Sequence, residues 1–118
     1  MPKKTTNKKM IPYEADEQKA LVQWLNIKKI KHTAIPNSTF TTSWKQKRHN
    51  TDMGLTPGFP DLVVCAGRLL LFIEMKRKGG STSKFQKEWI ERINKCESHH
   101  AVVCVGYEEA VKLISSFV

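Results

Sequence analysis

Gly58-Phe59-Pro60-Asp61-Leu62-Val63-Val64, followed beyond Cys65-Ala66-Gly67-Arg68 by Leu69-Leu70-Leu71-Phe72-Ile73-Glu74-Met75-Lys76, is the stretch that decides the fold. Two runs rich in Val, Leu, Ile and Phe, residues 61–65 and 69–76, are joined through the short stretch Cys65-Ala66-Gly67-Arg68, which reads as two strands of an antiparallel hairpin. With Ala66 and Gly67 as the turn, Cys65 pairs with Arg68, Val63 with Leu70 and Asp61 with Phe72. Side chains alternate faces with period two, so Phe72, Glu74 and Lys76 share a face, and Asp61 lies on it diagonal to Glu74. Asp61, Glu74 and Lys76 therefore converge on one rim. A slip of one residue would send Asp61 to the opposite face and remove the site.

Two carboxylates in such proximity repel unless a cation lies between them, and hard oxygen ligands suit Mg²⁺ or Mn²⁺. Lys76 points at the same centre, where it can orient an attacking water or neutralise charge on a phosphorane oxygen. The plainer alternative is that Asp61 ends one strand while Glu74 and Lys76 are an ordinary charged pair at the end of the next.

The chain around this rim has 118 residues, suited to one domain with its own core. Twenty Lys and Arg against eleven Asp and Glu give a formal charge of +9, which favours a polyanionic partner, nucleic acid before membrane. No apolar run reaches eighteen residues, so no membrane span is expected, and no apolar run follows the N-terminal lysines as a secretory signal requires. Cys65, Cys96 and Cys104 are odd in number and lie in or beside apolar runs, consistent with reduced thiols and a cytoplasmic protein. Cys96, His99, His100 and Cys104 lack a Cys-x-x-Cys anchor and do not read as a zinc set.

Residues 1–12, with Lys3, Lys4, Lys8 and Lys9, read as a flexible basic arm, and residues 13–118 as the folded domain. The spacing of Ala20, Leu21, Trp24 and Leu25 predicts a helix from about Tyr13 to Lys29, with Glu14, Asp16 and Glu17 in its first turn. Glu17 lies on the face turned toward the core. It either complements the helix dipole or joins a metal site. His32 to Ile35 is a short strand candidate. Residues 39–57 read as a long polar loop in which Lys45, Lys47 and Arg48, interleaved with Phe40 and Trp44, suit phosphates and unstacked bases; the two aromatics could equally cover the core. Arg77 and Lys78 extend the basic surface beyond Lys76. Ser83-x-x-Gln86 is a capping box opening a helix striped with Phe85, Trp89, Ile90 and Ile93. A short buried strand at residues 101–105 and a last helix from Tyr107 to Phe117 complete the order.

Taken together, Glu17-Gln18 with Leu21 and Trp24-Leu25, Ile35-Pro36-Asn37, Gly58-Phe59-Pro60-Asp61-Leu62, Glu74-Met75-Lys76-Arg77, Ser83-x-x-Gln86 and Gly106-Tyr107-Glu108-Glu109-Ala110 resemble the VRR-NUC (virus-type replication-repair nuclease) domain of the PD-(D/E)XK superfamily. The resemblance spans residues 13–117. It implies an α/β restriction-endonuclease-like core, a mixed β-sheet flanked by helices. It further implies Mg²⁺ or Mn²⁺ on Asp61 and Glu74, Lys76 as the catalytic lysine, Glu17 in preference to Glu14 as the helix carboxylate completing the metal site, and Gln86 as a supporting polar residue. Stand-alone, phage-type members are associated with homodimers that cut branched DNA such as Holliday junctions. The expected activity is therefore a structure-specific endodeoxyribonuclease with no small-molecule cofactor. The rival readings are a DNA-binding module that no longer cuts and an RNA-directed nuclease of the same fold.

Overall fold

A computed structural model describes residues 13–36, 43–97 and 99–118. The elements in order are α1 (Glu14–Ile27), β1 (His32–Ala34), α2 (Trp44–Asp52), β2 (Leu62–Ala66), β3 (Leu69–Lys76), α3 (Lys84–Asn94), β4 (His99–Val105) and α4 (Tyr107–Ser115). The basic arm, Asn37 and Phe40 lie outside the described residues.

The strands form one sheet in the order β1-β2-β3-β4, in which the β1–β2 and β2–β3 pairs are antiparallel and the β3–β4 pair is parallel. The expected hairpin forms in a register two residues away from the one read off the sequence: Val63 pairs with Phe72, Cys65 with Leu70 and Ala66 with Leu69. The turn is Gly67-Arg68 rather than Ala66-Gly67. Gly67 has φ +65°, the positive angle that a two-residue hairpin turn demands at its first central position and that Ala66 would adopt only with strain. A shift of two preserves face parity. Extended by one step, the register places Asp61 directly across from Glu74 instead of diagonal to it.

Alternation along the strands divides the molecule. Leu62, Val64, Ala66, Leu71, Ile73 and Met75 are fully buried on one face, packed with Cys104 and with Leu21, Leu25, Ala110 and Ile114 from α1 and α4. The opposite face carries Phe72, Glu74 and Lys76 beneath α3. There Phe59 meets Phe72 edge to face at 5.8 Å and Trp89 at 4.8 Å.

Helix α1 ends in a Schellman motif in which the Lys29 N–H donates to the Asn26 carbonyl and the Ile30 N–H to the Leu25 carbonyl. Lys29 takes the left-handed position usually given to Gly, at φ +59°. The expected loop at residues 39–57 contains a helix, α2. Its apolar periodicity is absent because none of its residues is buried, so the pattern that reveals a packed helix had nothing to display.

Candidate active site

Pro60 is buried and delivers Asp61 to the start of β2, where Asp61 Oδ2 accepts a 2.9 Å hydrogen bond from the Met75 backbone N–H. Glu74 and Lys76 follow on β3, one pleat apart on the α3 side. Glu74 is only 1 % exposed and Lys76 8 %. Lys76 Nζ lies 3.6 Å from Glu74 Oε2, an ion pair rather than a short hydrogen bond. The same oxygen accepts a 2.8 Å bond from Gln86 Nε2.

Gln86 closes the capping box and also reaches Glu74. Its Oε1 accepts from the Ser83 N–H at 2.8 Å while Ser83 Oγ accepts from the Gln86 N–H at 3.1 Å, closing the capping box, and its amide nitrogen turns outward to Glu74. One planar amide therefore fixes the start of α3 and holds the carboxylate. The helix is seated by Gly58, at φ +92°: a Cβ there would fall 2.6 Å from the Phe85 carbonyl carbon. Trp89 Nε1 also donates to the Pro57 carbonyl at 3.1 Å, tying the approach to Asp61 onto α3.

Glu74 Oε1 is buried and has no hydrogen-bond partner. Burial, first, and then the charge of Asp61 push the Glu74 carboxyl up to about 7, with Glu14 adding in the same direction and Lys76 opposing. Burial likewise raises Asp61, against the lowering influence of the Met75 amide and of the Lys76 charge. The pair is an electron-rich, poorly hydrated donor set whose two charges Lys76 only partly offsets.

Glu17 is engaged elsewhere. Its Oε1 accepts a 2.5 Å hydrogen bond from the Tyr107 N–H, and a Cβ on Gly106 would sit 3.2 Å from that oxygen. Gly106 is the N-cap residue of α4 and supplies no capping side chain, so Glu17 satisfies that helix from across the core. It is Glu14, one turn earlier, whose charge reaches Glu74. A Gly heading a helix without a capping side chain was the sequence signal that a cap had to arrive from elsewhere. The use of Gly58 for close approach had no comparable signal.

Among the described residues no group of three or more His, Cys, Asp or Glu side chains is gathered as a metal cage. Mg²⁺ needs less, since it is commonly held by one or two carboxylates with waters and substrate phosphates completing the shell. Asp61 and the orphaned Glu74 Oε1 fit that mode. Of the basic residues, Arg77 places its guanidinium 5.4 Å over the Tyr13 ring, beside Glu14 in sequence, and Lys78 borders the Glu17–Tyr107 contact. Lys45, Lys47 and Arg48 are exposed on α2.

The model of the VRR-NUC domain matches residues 8–106. A solved structure described as a VRR_NUC domain protein shares the fold with a TM-score of 0.74, at 24% sequence identity, over 91% of this chain and 88% of that one. No curated protein matches the chain. The mixed four-stranded sheet, the carboxylates on its central hairpin and the family match over most of the length place this chain in the VRR-NUC family, a nuclease domain of PD-(D/E)XK-like α/β fold.

Proposed function

We propose that the protein is a metal-dependent endodeoxyribonuclease that hydrolyses phosphodiester bonds at Asp61, Glu74 and Lys76. The observation that carries this reading is the buried, unpartnered Glu74 Oε1 beside a second carboxylate, both with raised proton affinity. Mg²⁺ or Mn²⁺ held by Asp61 and Glu74, with Glu14 acting through charge, would supply Lewis acidity toward the scissile phosphate and activate a bound water. The Met75 N–H fixes the rotamer of Asp61, and the Gln86 amide fixes that of Glu74, so neither has to reorganise when substrate arrives. Lys76, held at the mouth by Glu74, is placed to orient the nucleophilic water and to balance charge developing on the non-bridging oxygens. Glu17 keeps α1 against α4 and so serves the site by positioning.

Branched DNA, including four-way junctions, and a homodimeric assembly are the substrate and form that we infer from the family resemblance. Lys45, Lys47, Arg48, Arg77 and Lys78 are assigned to its phosphates, in keeping with the net charge of +9. The test is cleavage of labelled four-way junction, flap, duplex, single-stranded DNA and matched RNA in Mg²⁺, in Mn²⁺ and in EDTA. Cutting of a branched DNA in metal, absent in EDTA, is expected. Cutting confined to RNA, or binding without cutting by the wild-type chain in both metals, would replace this reading.

A further inference from the structure

Helix α2 has no buried residue, and Trp44 at its start is 79 % exposed. An isolated nine-residue helix is marginal in water, and most helices are held by an apolar face. This one is supported by local devices instead. Ser43 Oγ accepts from the Gln46 N–H at 3.2 Å, Gln46 Nε2 donates to Asn50 Oδ1 at 2.8 Å one turn on, and Thr51 Oγ1 bonds back to the Lys47 carbonyl at 3.0 Å. A helix ordered locally and set outside the core is organised around what its surface presents.

That surface has one distinctive side. Trp44, Lys47, Arg48 and Thr51 follow at i, i+3, i+4 and i+7 and border a single shallow depression, with the Lys47 ammonium 5.7 Å from the centre of the indole. Two cations, Lys47 and Arg48, share this depression with one acid, Asp52, and Lys45 adds a third positive charge elsewhere on the helix. The connection to the active site is short and pinned. The Leu55 N–H donates to the Asn50 carbonyl, Trp89 holds Pro57, and Gly58 abuts the α3 backbone that presents Gln86 to Glu74.

We propose that α2 binds unpaired nucleotides of a DNA strand. Trp44 stacks on an exposed base, while Lys47 and Arg48 take the adjacent phosphates. A flat indole beside two cations matches a base with its phosphate and gives no advantage on a fully paired helix, whose bases are stacked on each other. A second copy of the chain is the poorer occupant, because two-fold pairing through this face would set its cations against themselves. The proposal rests on the nuclease reading only in taking DNA as the polyanion. It adds that recognition of unpaired nucleotides is carried by α2, separately from the carboxylates.

The experiment is binding of the full chain in EDTA to fluorescently labelled single strand, flap and fully paired duplex. Trp44→Ala is expected to weaken single-strand and flap binding about tenfold or more and to leave duplex binding within about twofold, while Trp44→Phe retains most of the flap affinity. Lys47→Gln is expected to weaken all three and to lower the salt slope by about one unit. Equal losses on duplex and flap in Trp44→Ala, or no loss on the flap, would overturn the proposal. So would conversion of a dimer to a monomer by Trp44→Ala in sedimentation, which would assign the indole to a subunit contact. Failure of the wild type to cut in metal, with this binding pattern intact, would count against the nuclease reading alone.

Discussion

Glu74 is a carboxylate withdrawn from water with one oxygen left unsatisfied, an arrangement that destabilises the metal-free fold once the group ionises. Its folded-state pKa, about 7, lies above the ordinary 4.5, so the native state binds this proton more tightly than the unfolded chain does. The stabilisation is complete below pH 4.5 and is lost as pH rises through 7; raised Asp61 works in the same direction. The shift corresponds to something on the order of 3 kcal/mol. Thermal melts in EDTA are therefore expected to show Glu74→Gln gaining stability over wild type between pH 5.5 and pH 8. A constant difference across that range would contradict the assignment. A second expectation concerns Gln86, whose amide serves both helix and site. Gln86→Ala is expected to lose about 1 kcal/mol of stability and ten- to a hundredfold in cleavage rate, whereas Ser83→Ala loses similar stability with most of the rate retained. Parallel losses of rate in the two variants would show that Gln86 acts only as a cap.

Among the elements, α1 carries two carboxylates with different surroundings: Glu17 accepts from the Tyr107 N–H, and the charge of Glu14 acts on Glu74. Glu17→Ala is expected to destabilise the protein by about 1 kcal/mol through the uncapped Tyr107 N–H, and Glu14→Gln to leave the melting temperature unchanged while slowing cleavage. A melt and a rate for each variant decide it; the reverse pattern would return Glu17 to the metal. The family resemblance favours Glu17 over Glu14 through its adjacency to Gln18, and the helical spacing turns Glu17 toward the core, where it lies half-buried. Orientation toward the core could not distinguish a ligand from a cap, since the capped helix begins ninety residues away. The hairpin was legible because parity survives a two-residue error in register, and only a one-residue error would have moved Asp61 to the wrong face. Helix α2 was missed for the opposite reason: a helix that buries nothing writes no apolar stripe, and its Ser43 cap alone does not outweigh a polar stretch. The C-terminal Schellman motif of α1 offers an independent check on the backbone. Lys29→Gly is expected to raise stability by about 1 kcal/mol, the relief of a left-handed lysine.

For the whole molecule, the sheet keeps its two faces apart. One face, under α1 and α4, holds the apolar core; the other, under α3, holds the aromatic cluster of Phe59, Phe72 and Trp89 with the charged triad at its end. The proposed catalytic groups thereby lie at one end of one hairpin, and the basic groups lie on peripheral elements, α2 and the segment after β3. Among the described residues no helix is long and apolar enough to cross a membrane. Whether Glu74 serves metal-dependent cleavage is decided by the rate of four-way-junction cleavage in Mg²⁺ by wild type and by Glu74→Gln, alongside junction binding by both in EDTA. The expected result is cleavage by wild type, none above background for Glu74→Gln, and binding within about threefold for the two proteins, since a single buried carboxylate contributes little to the phosphate affinity of a basic protein. Cleavage retained by Glu74→Gln, or by wild type in EDTA, would contradict it.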